Sequence, residues 1–320
     1  MHYAWIYLLL CLLVGAGAFY FLYWPRLRRR RILRRPFPED WHQLLMDRLH
    51  SYARLPPELR KQLQDLTTLF LNDKHFVGCA GLQVTMEMKL LIAAQACLLL
   101  LNRPTREYPD VRAIYIYPGA FRAVHEVSDE LGLVSIESRD LAGEAWESGQ
   151  VVLAWEDVEE SLNIPDDGYN VVLHEFAHQL DHESGIANGA PLLYTAEAYR
   201  HWAAVFGREF EKLRHGGEGE VIDSYGATDP AEFFAVATET FFELPQEMFE
   251  HHRDLYLQLQ NYYRLDPRRW LPAVNGVRFP TSSRICAVTS RCVPHQNTGS
   301  ASSPRHAPWL PLNVFMTGSG

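Results

Sequence analysis

The sequence predicts a mostly helical α+β domain with a small sheet, preceded by one N-terminal transmembrane helix. Three observations carry this expectation. Apolar residues recur at helical spacing in several stretches, two short runs rich in β-branched and aromatic residues adjoin turn signals, and the chain opens on an uncharged apolar run.

That opening run, Ala4 to Trp24, is 21 residues without a charge, close to the roughly 20 a helix needs to cross a bilayer. Trp5, Tyr7, Tyr20, Tyr23 and Trp24 lie toward its two ends, as interfacial aromatics do. Residues 1–25 therefore read as a transmembrane anchor. A cleaved signal peptide, with Ala16-Gly17-Ala18 as its site, is the competing reading, but Met1-His2-Tyr3 lacks the positive charge that opens such a leader. The arginines come after the apolar run instead, at 26, 28–31, 34 and 35, so residues 26–36 read as a basic juxtamembrane linker. By the positive-inside rule these charges hold the rest of the chain in the cytoplasm. The expectation is an inner-membrane protein with a cytoplasmic domain, a soluble cytoplasmic protein being the runner-up.

Pro36 to Pro38 mark a break. Beyond it Leu59, Leu63, Leu66 and Phe70 follow the spacing of a helix with one buried face. Met88 to Leu101 is an apolar run of 14 residues, too short to span a membrane, and reads as a core helix stopped by Asn102-Arg103-Pro104. Ala113 to Tyr117 reads as a strand ending at Pro118-Gly119, and Val151 to Trp155 as a second, entered through Ser148-Gly149. The loop Ile164-Pro165-Asp166-Asp167-Gly168 then leads into a helix starting near Tyr169 or Asn170. These elements define an expected domain over 37–272. From 273 to 320, Ser, Thr, Pro and Gly are frequent and acids absent, the composition of a disordered tail.

The formal net charge of −9 conceals an asymmetry, because the first 35 residues hold seven arginines and no acid. Setting those seven aside from the 30 basic residues leaves 23 against 39 acidic ones, a net −16. So acidic a body is ill suited to phosphate backbones, and direct nucleic-acid binding is excluded as the function. Five cysteines, without a C-x-x-C pair, give neither a disulfide framework nor a cysteine metal site.

The chemistry lies in the helix after Asn170, which contains His174-Glu175-Phe176-Ala177-His178. Histidines four apart share a helix face, so both imidazoles reach one ion at about 2.0 to 2.1 Å, while Glu175, about 100° around, is placed to take a proton from a metal-activated water. Val171, Val172, Leu173, Phe176, Ala177 and Leu180 make the rest of this helix apolar, and burying two histidines and a glutamate there is costly without a metal. The pattern predicts a zinc peptidase.

Catalytic zinc needs a third protein ligand. The metzincin spacing is excluded, since it requires glycine at 181 and histidine at 184 where this chain has Asp181 and Ser184. His182 is poorly aimed from the same straight helix, and Asp181 either orients a liganding imidazole or ends the helix. A second helix, opened by Asp229-Pro230, carries Glu232 and, seven residues on, Glu239 on the same face. Local sequence leaves their roles open, because Glu232 also fits a capping box with Asp229. Were Glu232 the ligand, Glu239 would lie about 10 Å farther along the axis, better placed to bond a liganding histidine than the ion.

At these residues the chain resembles the Mlc titration factor A family, zinc peptidases related in fold to the anthrax lethal factor catalytic domain. The resemblance rests on HEFAHQLD at 174–181 and YGATDPAEFFAVATE at 225–239, extended by FLNDKHFVGCAGLQVT at 70–85, IAAQACLLLL at 92–101 and GQVVLAWEDV at 149–158. It implies a zincin-like domain over roughly Pro36 to Trp270, one Zn2+ ion held by His174, His178 and Glu232, Glu175 as catalytic base and Tyr225 as an active-site residue. It also implies aminopeptidase-like hydrolysis of a peptide or protein substrate and binding of a transcriptional repressor of the Mlc type. A different class of function is a membrane-tethered, repressor-binding regulatory protein whose zinc is not catalytic, and the presence of Glu175 favours the enzyme.

Overall fold

The computed structural model describes residues 4–103, 107–119, 125–128, 134–137, 149–216 and 221–270. The tail expected over 273–320, together with Cys286 and Cys292, lies outside the described residues, as do Pro104 and Ser148.

The opening apolar run is not one regular α-helix. Ala4–Ala18 (α1) is α-helical, Phe19–Tyr23 winds as a π-helical turn, and Trp24–Ile32 forms a separate helix (α2). At 1.5 Å per residue the 15 residues of α1 rise about 22 Å, short of the roughly 30 Å of bilayer hydrocarbon. Among the described residues no helix is long and apolar enough to cross a membrane, so the expected transmembrane helix is not supported. Counting uncharged residues does not register the change from α to π winding at Phe19–Tyr23, which precedes Pro25 and its missing N–H. The basic segment is largely helical. Arg28 meets Asp73 at 2.5 Å and Arg29 meets Glu107 at 2.6 Å, tying α2 to the body.

The body begins with Glu39–Arg48 (α3), His50–Arg54 (α4) and Pro57–Asp73 (α5). Proline opens α5, where its missing N–H costs nothing, and the helix buries Leu63, Leu66, Leu69 and Phe70. Strand β1, His75–Gly78, comes next, then Met86–Leu98 (α6), whose Thr85 cap accepts from the Met88 N–H and whose residues from Leu90 onward are all buried. The core helix is thus observed three residues shorter at its end than the sequence predicts, because the chain leaves through turns and Asn102 adopts a left-handed φ of 58°. Ala113–Tyr117 (β2), a hairpin of His125–Ser128 (β3) and Val134–Glu137 (β4), and Gln150–Ala154 (β5) succeed it. The remaining helices are Trp155–Asn163 (α7), Val171–His182 (α8), Ala196–Arg214 (α9), Pro230–Glu243 (α10), Pro245–His251 (α11) and Arg253–Tyr263 (α12).

Strands β1, β2 and β5 form a parallel sheet in the order β1-β2-β5, with Ile114 opposite Val151 and Ile116 opposite Leu153. A mostly helical chain with a small parallel sheet meets the expected α+β class. The second strand starts and ends one residue before its sequence-predicted bounds, since Trp155 already opens α7. Helix α8 packs against β5, α6 and, most extensively, α10. Phe176 of α8 fits edge-on into Phe70 and Tyr108, while Phe233 and Phe234 of α10 pack against Phe206 and Trp202 of α9. Both helices that bear the candidate site residues are therefore held by aromatic contacts behind them.

Glu209 on α9 clamps α12 from the other side. Its carboxylate, almost fully buried, meets His252 Nδ1 at 3.1 Å and Lys212 Nζ at 2.9 Å. The His252 hydrogen bond above all, with Lys212 and Arg208 outweighing burial, draws the Glu209 carboxyl down to about 2. A depressed acid contributes stability above its unfolded value and loses it as pH falls through the folded one, here from about 4.5 to about 2. Glu209→Gln is accordingly expected to cost about 1–2 kcal/mol at pH 7, and the difference should shrink steadily below pH 4.5. Urea unfolding of both proteins at several pH values checks this, and equal stability at pH 7 counts against the clamp.

Candidate metal centre

Helix α8 is buried from Val171 to Asp181, so each polar group on it requires a partner. Its N-cap Asn170 accepts from the Leu173 N–H at 3.1 Å, and the Val171 N–H reaches Ser161 Oγ at 3.3 Å. Helix α10 is capped by Asp229, whose Oδ1 accepts from the N–H groups of Ala231 and Glu232. Asp229 thus makes its half of a capping box, but the Glu232 carboxylate lies against the histidines of α8.

His174 Nε2 is 3.2 Å from His178 Nε2, and Glu232 Oε2 is 3.1 Å from the first and 3.6 Å from the second. All three residues are buried, and they form the metal-competent group found among the described residues. Ligands at about 2.0–2.1 Å from a tetrahedral ion stand about 3.3–3.4 Å apart, so the three donors already have the spacing of one tetrahedral face. Two imidazole nitrogens among the donors suit a first-row transition metal better than the hard, oxygen-seeking Mg2+ or Ca2+. Burial by itself would raise the Glu232 carboxyl, but the His178 and His174 imidazoles hold it well below the usual carboxylate range. It is therefore an anion facing two nitrogen donors, a donor set that fits a divalent metal.

Glu239 stands one step behind. Its Oε1 is 2.7 Å from His174 Nδ1 and its Oε2 accepts from the Asn170 N–H at 2.6 Å. Holding the proton on Nδ1 turns Nε2 toward the donor cluster as a lone pair. Burial raises the Glu239 carboxyl, against the opposing pull of His174 and the Asn170 N–H.

Of the other residues marked by the sequence, Glu175 is 1% exposed, next to His174 on α8. Tyr225 lies on a 3-10 turn, Ser224–Ala227, whose Asp223 cap accepts from the Tyr225 N–H, and its ring centroid is 6.1 Å from that of His174. His182 is outside the converging group. Asp181 lies in the last turn of α8, its Oδ2 accepting from the Gly189 N–H of the following loop at 2.7 Å, and burial lifts its carboxyl to about 7. A cavity of about 470 Å³ lined by Arg103, Trp202, Tyr262 and Arg264 is separate, for none of the three donor residues borders it.

Sequence reasoning missed Gln95 and Glu243, which grip Asn170 from α6 and α10 at 2.9 and 3.0 Å. Asn170 was legible as a helix start. Its partners, 75 and 73 residues distant, carry no local signal.

Residues 24–264 match the family described as glucose-regulated metallo-peptidase M90. The chain belongs to that family. It is 42% identical to an uncharacterised Synechocystis protein over 266 residues, covering 81% of this chain and 97% of the relative. It is 33% identical over 250 residues to Mlc titration factor A of Klebsiella pneumoniae, covering 77% and 92%, and 30% identical over 241 residues to Mlc titration factor A of Yersinia pestis, covering 72% and 87%. The expected kinship with the Mlc titration factor A family is thereby met, and the buried cluster is the candidate metal site of a metallopeptidase-family member.

If Glu239 orients His174, Glu239→Ala should weaken divalent-metal affinity about 10- to 100-fold yet leave a site that fills at saturating metal. Chelator competition measures this, and unaltered affinity would remove Glu239 from the site.

Proposed function

We propose that this chain is a zinc-dependent peptidase in which His174, His178 and Glu232 hold one Zn2+ ion and Glu175 is the general base. One observation carries the reading: three buried donors from two helices converge with edges of 3.1 to 3.6 Å. Two imidazoles and a carboxylate leave a tetrahedral position open, the arrangement of catalytic rather than structural zinc. Bound zinc would polarise a scissile carbonyl and lower the pKa of a water beside it. Glu175 takes the proton of the attacking water and returns it to the leaving amine. The Tyr225 hydroxyl, on the turn flanking His174, donates to the oxyanion that develops.

An extended peptide would add to the edge of β5 away from β2, beside α8, through main-chain hydrogen bonds that are indifferent to most side chains. We place the substrate among peptides with a free N-terminus, an aminopeptidase-like preference. The relatives named Mlc titration factor A support a second proposal, that a transcriptional repressor of the Mlc type is a partner. That partner is compatible with a catalytic centre, and the acidic body makes a protein a better match than DNA.

Glu175→Gln should keep stoichiometric zinc and lose at least about 100-fold in turnover of chromogenic aminoacyl substrates, the usual scale of general-base catalysis. Wild-type turnover in that variant sinks the mechanism. Glu232→Ala should lose both zinc and activity. Full zinc occupancy in it at ordinary metal levels refutes Glu232 as a ligand, and a wild type that binds zinc without cleaving any peptide favours the purely regulatory alternative.

A further inference from the structure

Asn170 is 4% exposed and engages every polar atom it has. Its Oδ1 caps α8 at the Leu173 N–H, and its main-chain oxygen accepts from the His174 N–H at 2.9 Å. The two Nδ2 hydrogens go to Gln95 Oε1 of α6 and Glu243 Oε1 of α10, and its main-chain N–H goes to Glu239 Oε2. Gln95 and Glu243 are themselves fixed, the first by donating to the Leu91 oxygen at 3.2 Å and the second by accepting the Asp166 N–H at 2.8 Å. A capping asparagine needs only Oδ1, so the side-chain amide does something a cap does not require.

A continuous path runs from Glu243 through Asn170 to Glu239, and from Glu239 to Nδ1 of His174. Each end of it lies on α10 or α8, the helices that contribute Glu232 and the two histidines. We propose that Asn170 is a positioning residue of the metal centre, its side-chain amide locking the α8 N-terminus to Glu243 and Gln95 so that Glu239 holds His174 in the orientation that shares one ion with Glu232. This rests on the cluster being a metal site. It adds that metal affinity depends on a neutral amide one residue outside the helix, which touches neither the ion nor any ligand side chain.

Aspartate separates the two roles, because it caps a helix as well as asparagine and its charge suits a helix N-terminus, but it has no hydrogens to give Glu243 and Gln95. A cap alone predicts that Asn170→Asp binds metal like the wild type. The positioning role predicts zinc affinity about tenfold weaker in Asn170→Asp, and likewise in the uncharged Asn170→Ser, which still caps and tests the same loss without a new charge. In the double variant Asn170→Asp, Glu243→Gln, the glutamine amide donates to the aspartate and its oxygen still accepts from Asp166, which restores the tie to α10 but not the one to Gln95, so affinity should recover part of the tenfold loss. Chelator competition on the full chain reads zinc affinity, and the visible spectrum of the cobalt-loaded protein reports the ligand geometry. Wild-type affinity in both single variants overturns the proposal, as does a double variant no better than Asn170→Asp. A wild type that binds neither zinc nor cobalt would instead overturn the metal reading on which it rests.

Discussion

The approach of α10 to α8 is the contact on which the site depends. His174 and His178 lie on one helix and Glu232 on the other, 54 residues later than His178, yet their donor atoms come within 3.6 Å. A slip of one residue along either axis moves a side chain about 1.5 Å and turns it about 100°, enough to separate the donors. The register is held from behind by aromatic packing and from one end by polar ties. Phe176 is wedged between Phe70 and Tyr108, Phe233 and Phe234 are pinned by Phe206 and Trp202, and Asn170 joins the start of α8 to Glu239 and Glu243 of α10.

Electrostatics explains why such a helix pair needs its neighbours. Glu175, Glu232 and Glu239 are all at most 7% exposed, and buried carboxylates are tolerated only where opposite charge or hydrogen bonds replace water. Glu232 has the two imidazoles. Glu239 has His174 on one oxygen and, on the other, the Asn170 N–H at the positive end of α8, so the helix dipole and the histidine share its charge. A divalent cation among these donors offsets the remaining negative charge, which links metal binding to the stability of the helix pair.

Much of the site was legible because local sequence carries periodicity and caps. Two histidines at i and i+4 in an apolar helix must share a face, and Asp229-Pro230 announces a helix start, so α8 and α10 were readable within a residue or two. Composition alone does not register the change to π winding at Phe19–Tyr23, and among the described residues no helix is long and apolar enough to cross a membrane. β1 went unread because four residues ending in glycine show too little alternation, and only its neighbour β2 supplies its hydrogen bonds.

By itself, then, the sequence determined which residues are candidates for the chemistry and which faces of which helices they occupy, since these depend on bond geometry over a few residues. Local sequence left the roles of Glu232 and Glu239 open, on the same face of the same helix, and only the family resemblance favoured Glu232 as the ligand. Where each of them sits is a matter of tertiary packing, because the depth at which α10 crosses α8 brings Glu232 Oε2 to 3.1 Å from His174 Nε2 and gives Glu239 the Nδ1 on the far side of the same ring. The gathering of Gln95, Asn170 and Glu243 at one point was likewise a product of packing. No spacing rule couples side chains more than 70 residues apart, and only the burial of three helices against one another closes those distances.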